Sequence, residues 1–383
     1  TLKQSYPVLT FEKGDDAATG STPSIDLKQM EEKVVIPESG FEMPASSGLS
    51  FIGWKTKGRT SLFHPGEEIT VNSSMTFTAV WGKSWAGIQK QIDNAASGAT
   101  ITLDDDYYAA ADDIWLIIPQ GKTITIDLNG HKLDRNLVNS SGILSTDQDS
   151  EPQGGVFYVN GENTKLIIND SSDGKGKISG GCPENEGEIF TGGGVTVTNG
   201  GTVEFNGGTI TANHGYFAGG VSVSEGGSFI MNGGSITQNN GAIGGAVLTY
   251  NNGSFTMNGG QIVSNFNIGF GTGGVYVYQN GIANIFGGKI SSNTGLLGGG
   301  VLVVDESGVL NVKGSPVISN NYSYTDYLTD VILMSGNRIN VVGSLSDSAL
   351  IKVALSFRSR DEKENNSERE QITNGLNGNG SIA

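Results

Sequence analysis

Gly219-Gly220-Val221-Ser222-Val223 recurs as Gly245-Ala246-Val247-Leu248-Thr249, Gly273-Gly274-Val275-Tyr276-Val277 and Gly299-Gly300-Val301-Leu302-Val303, with Gly193-Gly194-Val195-Thr196-Val197 one unit earlier. A second alternating segment follows each time, as in Thr202-Val203-Glu204-Phe205, Ser228-Phe229-Ile230-Met231 and Ser254-Phe255-Thr256-Met257. A third comes next: Thr209-Ile210-Thr211, Ser235-Ile236-Thr237, Gln261-Ile262-Val263 and Lys289-Ile290-Ser291. Successive units lie 26 to 28 residues apart. Short runs of period two, bounded by glycine and asparagine, are strands. A unit this small cannot bury its apolar side alone, so its neighbours must stack on it.

Three strands and three turns per unit describe one coil of a parallel β-helix, and such crossovers are right-handed in nearly all cases. Val195, Val197, Val203, Phe205 and Ile210 then point inward, and coils ~4.8 Å apart place equivalent residues in columns. The fold class is all-β, with this helix spanning 98–356, a separate module over 1–82, a linker and capping helix over 83–97 and a polar tail over 357–383. Trp85, Ile88, Ile92 and Ala95 have helical spacing and would cap the open end of the stack. Two asparagine ladders are expected at the turns, Asn129, Asn169, Asn206, Asn232 and Asn258 in one, Asn213, Asn239, Asn265, Asn293 and Asn320 in the other.

The composition agrees with many tight turns: 59 glycines against 9 prolines. A formal charge of −16 argues against nucleic acid or anionic lipid as a partner, since both are held by clustered cations. Cys182 is the only cysteine, so no intrachain disulfide forms, and no apolar run reaches membrane-spanning length. The first residue is Thr1 rather than Met, which fits a mature or trimmed fragment.

Residues 6–82 follow a different pattern. Val8-Leu9-Thr10-Phe11, Lys33-Val34-Val35-Ile36-Pro37, Phe51-Ile52-Gly53-Trp54, His64-Pro65-Gly66 and Met75-Thr76-Phe77-Thr78-Ala79-Val80-Trp81 occur in that order. This succession resembles the Listeria–Bacteroides repeat, a small β-grasp module similar to internalin B-repeats. The resemblance implies a spacer in a secreted or wall-attached bacterial protein, and hence an extracellular location. Trp54 and Trp81 are read as core rather than sugar platforms. Gly121 to His131, the Asn-Gly-Gly turns and the Gly-Gly-Val-x-Val strands resemble pectate-lyase-like β-helices of bacterial surface proteins, which implies an adhesin-like role. That fold also hosts polysaccharide lyases and glycoside hydrolases, so fold alone does not decide.

Chemistry is sparse. Asp127, Ile167, Glu204, Ile230, Thr256, Asn284 and Asn311 read as one outward column of the second strand, so Asp127 and Glu204 would stand two coils apart, ~9.6 Å. An inverting glycosidase pair needs ~6.5–9.5 Å. Such a carbohydrate-active enzyme, working beside the loops 133–154 and 180–192, is the alternative to non-catalytic binding. Asp170 and Asp173 are the calcium candidates, against a plain turn, and no other cofactor is expected. His131, His214 and Cys182 have no acid–base partner in their columns. In the first strand, the outward columns change from small polar residues to Leu248, Tyr250, Tyr276, Tyr278, Leu302 and Val304 on three adjacent coils. A contiguous apolar patch has an occupant. The chain after Asn321, a protein partner or second copy, or a stacked host or microbial glycan are the three candidates.

Overall fold

Strands of two to five residues gain little individually, and the chain stabilises them by repetition. The computed structural model describes residues 6–57, 62–110, 113–137, 154–183, 191–324, 328–334 and 336–355. They form a nearly all-β chain with a parallel β-solenoid of about 8 turns. The first strands of the coils make a nine-stranded parallel sheet from Leu116–Ile117 to Val353–Leu355, and the second strands make another from Thr100–Thr102 to Ile339–Leu345. The third strands run from Tyr107–Tyr108 to Leu350–Ile351.

Register is strict. Leu116, Phe157, Val195, Val221, Val247, Val275, Val301, Val331 and Val353 pair one above another along the first sheet. Phe205, Phe229 and Phe255 stack inside at 6.2 and 6.1 Å between ring centroids. The rungs after Asn321 keep this pairing.

Some coils are also richer than three strands. Five coils carry a fourth, two-residue ladder: His214–Gly215, Asn240–Gly241, Phe266–Asn267, Thr294–Gly295 and Tyr322–Ser323. The turn before it has a repeated construction. Ala212, Gln238, Ser264, Ser292 and Asn320 all take φ between 52° and 62°. The next residue is the ladder asparagine, so Asn321 takes the place expected for Asn320, and Asn320 is the left-handed residue before it. Asn213, Asn239, Asn265, Asn293 and Asn321 are fully buried. Each asparagine Nδ2 donates to the next Oδ1 at 2.9–3.0 Å, and the ladder ends on Asp330 Oδ1 at 2.8 Å.

The second ladder is at the surface. Asn206, Asn232 and Asn258 each donate one coil back at 2.8–2.9 Å, to Asn169, Asn206 and Asn232 respectively. Asn129 is not in it. Asp127 pairs with Asn169 across the sheet, while Asn129 lies two residues further on and donates to the Leu103 carbonyl.

The capping helix is Trp85–Asn94, with the Ser84 hydroxyl accepting from the Gly87 N–H and Trp85, Ile88 and Ile92 buried on the first coil. No separate linker precedes it. The strand Met75–Ser84 pairs with Val8–Glu12 in the module and then, through Lys83 and Ser84, with Tyr107 and Tyr108 of the first coil. One strand thus belongs to both units. The module has its own core, in which Trp54 is fully buried, contacts Phe11 and Phe51 at 4.9 Å and donates to the Pro37 carbonyl. Trp81 is half-buried and donates to the Lys13 carbonyl. Among the described residues of the module, the only helical element is the 3-10 turn Ala45–Ser47.

Candidate functional site

The register separates the two candidate carboxylates. Thr125, Ile167, Glu204, Ile230, Thr256, Asn284 and Asn311 form one outward column, and Asp127 belongs to the next, opposite Asn169. Two coils plus a two-residue offset put their backbones ~12 Å apart, from the strand rise and spacing. Both groups are also engaged structurally. Asp127 Oδ1 accepts from the N–H groups of Asn129 and Ser171, and Glu204 accepts from Lys165 Nζ at 2.6 Å. The sequence reading missed the offset because the turn at Asn129 has a different length from those at Asn206 and Asn232. The loops 138–153 and 184–190, beside which the enzyme reading placed its groove, lie outside the described residues, as does the tail 357–383.

Asp170 holds a turn. Oδ1 accepts from the Gly130 N–H at 2.9 Å and from the Ser172 N–H and hydroxyl, and Oδ2 accepts from the Gly176 N–H at 2.8 Å. Burial pushes this carboxyl up, but the hydrogen bonds from Gly176, Gly130 and Ser172 outweigh it and hold the pKa below 3.8. A cation would have to displace those donors. Asp173 sits in the left-handed region at φ 60°, and among the described residues no three acids, histidines or cysteines gather as a metal site.

The two readings of Asp170 predict different melts. A depressed folded pKa contributes stability above the unfolded value, and that stability is lost as pH falls through the folded one. Asp170→Asn should therefore lower the melting temperature at pH 7, and the gap to wild type should close below about pH 4, near the ordinary carboxyl pKa. Millimolar calcium should move neither melt. A calcium-dependent rise in wild type that Asp170→Asn abolishes would restore the metal reading.

The apolar first-strand columns are covered. Leu248 and Leu302 are fully buried, and Tyr250, Tyr276 and Tyr278 are half-buried. Burial pushes the Tyr276 hydroxyl up to about 12. Over Leu248, Tyr250 and Tyr276 the cover is the loops that precede the first strands, with Phe217, Ala218 and Ile243 packed on them, whereas Leu302 is flanked by Ile332 of the chain after Asn321. Tyr250 stacks on Tyr278 at 5.9 Å. These five residues therefore do not form an open binding face. Cys182 is also buried, which drives its thiol up to about 12 and leaves it a poor nucleophile.

Folding those loops inward leaves other apolar side chains outside. Two residues beyond each start of the fourth ladder stand Tyr216, Ala242, Ile268, Leu296 and Tyr324. Backbone hydrogen bonds keep these positions in register, Ala242 N–H to Gly215, Ile268 N–H to Gly241 and Tyr324 N–H to Gly295, at 3.1–3.2 Å. Four of the five are exposed, by 49% for Tyr216, 57% for Ile268, 42% for Leu296 and 48% for Tyr324. Phe270 beside them is 82% exposed, with Leu297 and Leu328 also open. Four coil steps make a ridge ~19 Å long. It was missed because the loops between the third strand and the next Gly-Gly do not alternate. The signal was present, since the five positions recur at 26 to 28 residues, the same period as the strands.

Comparison with family models, with curated proteins and with solved structures returns no match. The site is therefore interpreted from its geometry alone. Among the described residues, no helix is long and apolar enough to cross a membrane.

Proposed function

We propose that this chain is a non-catalytic, adhesin-like binding scaffold of the bacterial exterior, and that it holds a protein partner along the ridge Tyr216–Ala242–Ile268–Leu296–Tyr324. The observation that carries the reading is the exposure of Tyr216, Ile268, Leu296 and Tyr324 at one position of the coil, in fixed register and with only Ala242 half-buried among them. Scattered exposed hydrophobics need no explanation, but a contiguous apolar strip marks an interaction surface. Ile268, Leu296, Leu297 and Leu328 make up half of the exposed large apolar side chains here, beside Tyr216, Phe270, Tyr322 and Tyr324. An aliphatic side chain offers no flat ring for a sugar to stack on, whereas mixed aliphatic and aromatic surface suits a protein partner. The extracellular placement rests on the order of motifs in the module that resembles the Listeria–Bacteroides repeat. The carbohydrate-active alternative rested on Asp127 and Glu204, and their separation gives it no support.

The test is a panel of purified extracellular proteins screened beside a glycan array, using wild type and an Ile268→Ser/Phe270→Ser/Leu296→Ser variant. Truncating anchors of this kind costs more than ~1 kcal/mol each, so protein binding should fall at least ~10- to 100-fold while the melting temperature holds. Glycan hits that survive in the variant, with no protein hit, would overturn the reading. So would wild-type dimers that the variant turns into monomers, because the strip would then serve self-association.

A further inference from the structure

The N-terminal module overhangs the outer face of the third-strand sheet. His64 Nε2 lies 3.4 Å from the Asn136 carbonyl of the second coil, and Leu62, Val80 and Lys55 face the coils below. Between the two units is a cavity of about 310 Å³. This is at the lower end of the ~300–1,000 Å³ usual for small-ligand sites. Its floor crosses successive coils and is polar, including Lys132, Asn136, Lys177, Ser179 and Thr211.

Two features of this lining stand out. Three lysines, Lys55, Lys132 and Lys177, converge on one cavity of a chain whose net charge is −16, with Asp134 the only carboxylate among them. Lys132 lies 3.7 Å from Asp134 and over the Tyr108 ring at 4.3 Å. Lys55 and Lys177 form no ion pair with any described residue. Independently, Asn136 is 8% exposed and its Nδ2 has no hydrogen-bond partner among the described residues. A buried donor left unpaired costs ~1–3 kcal/mol. Asn136 occupies the left-handed region at φ 64°, which asparagine tolerates in turns.

We propose that the cavity between the module and the coils binds an acidic saccharide, its oxyanion held by Lys55, Lys177 and the Asn136 amide and its hydroxyls by Ser179 and Thr211. Ammonium and amide donors recognise carboxylate and sulfate oxygens by charge-assisted hydrogen bonds. Vicinal hydroxyls on the sheet face match the hydroxyls of a sugar ring. The module is then one wall of the site as well as a spacer. This site is independent of the apolar ridge, on another face of the coil.

The probes are lactose, lactose 6′-sulfate and the lactose analogue whose galactose carries a uronate carboxylate, titrated onto the intact chain by saturation-transfer NMR. At least one anionic probe should bind, with lactose at least tenfold weaker, and which anion binds tells sulfate from carboxylate. Lys55→Gln/Lys177→Gln should lose that binding at least tenfold with an unchanged melt, because both lysines are exposed. Asn136→Gly keeps the left-handed backbone and removes only the amide, and it too should weaken the anionic probe. The ridge variant should bind the probe as wild type does. Equal binding of lactose, full binding by the lysine double variant, or no binding of either anionic probe at millimolar concentration would overturn the proposal.

Discussion

Replacing Asn265 by alanine is expected to destabilise the solenoid by about 3–5 kcal/mol, although no apolar contact of any size is lost. Its Nδ2 donates to the Ile236 and Val263 carbonyls and to Asn293 Oδ1, and its Oδ1 accepts from both the N–H and the Nδ2 of Asn239. Truncation leaves the Asn239 N–H without its acceptor and the Ile236 carbonyl without this donor, in a place sealed from water. Each buried group so orphaned costs ~1–3 kcal/mol. Asn232→Ala removes two amide bonds of the surface ladder, where water replaces them, and should cost no more than ~1 kcal/mol. Urea unfolding followed by circular dichroism measures both. Hydrogen exchange should place the Asn265→Ala loss in the adjoining coils, because coils of a solenoid couple mainly to their neighbours. Equal penalties for the two variants would mean that the buried ladder is ornament.

Gly219→Ala is the second large effect expected, about 3 kcal/mol, at the upper end of what overpacking costs. A Cβ there would lie 2.5–2.6 Å from the backbone of Asn240, in the fourth ladder of the next coil. The obstacle is main chain, so no rotamer change relieves it. Gly193, Gly273 and Gly299 meet the same ladder in the same way, with contacts of 2.2–2.5 Å. The control is Gly226→Asn. Gly226 has φ 70° with nothing within 4 Å of its Cβ, and asparagine already fills the equivalent left-handed positions at Asn252 and Asn280. That substitution should stay within ~0.5 kcal/mol, as surface changes away from special features do. A small loss for Gly219→Ala in thermal unfolding would show that the fourth ladder yields easily.

Glycine at Gly219 therefore explains why the repeat was legible at all. The Gly-Gly-Val-x-Val signature is the trace of a loop packed on main chain, followed by a strand whose alternation faces the core. The cap is equally local in origin, since Trp85, Ile88 and Ile92 share one helical face and Ser84 supplies the N-cap. The aromatic core of the module follows from Phe11, Trp54 and Phe77, each on an alternating run.

The candidate sites were less legible. Asp127 and Glu204 were placed in one column because the turn before Asn129 was assumed to match those before Asn206 and Asn232, and a two-residue error moves a side chain to the neighbouring column. Leu248 and Leu302 were read as open because alternation distinguishes inside from outside a coil but carries no information on a second layer over the outer face. The loops holding Phe217 and Ile243 supply that layer over Leu248. The loops recur with the coils but do not alternate, so which of their side chains stand outside appears only once the coils are stacked.

The amino-acid sequence by itself determined that the chain repeats every 26 to 28 residues, which side chains face the core and where the stack is capped, because those follow from spacing and local turn chemistry. Tertiary structure alone decided that Tyr216, Ile268, Leu296 and Tyr324 line up at the surface, that Leu248 does not, and that Lys55 meets Lys177 and Asn136 in one cavity. These residues are brought together by the stacking of coils and the docking of the module; the coil period gives the spacing of the ridge but not its exposure, and the docking of Lys55 against Lys177 and Asn136 leaves no period to read.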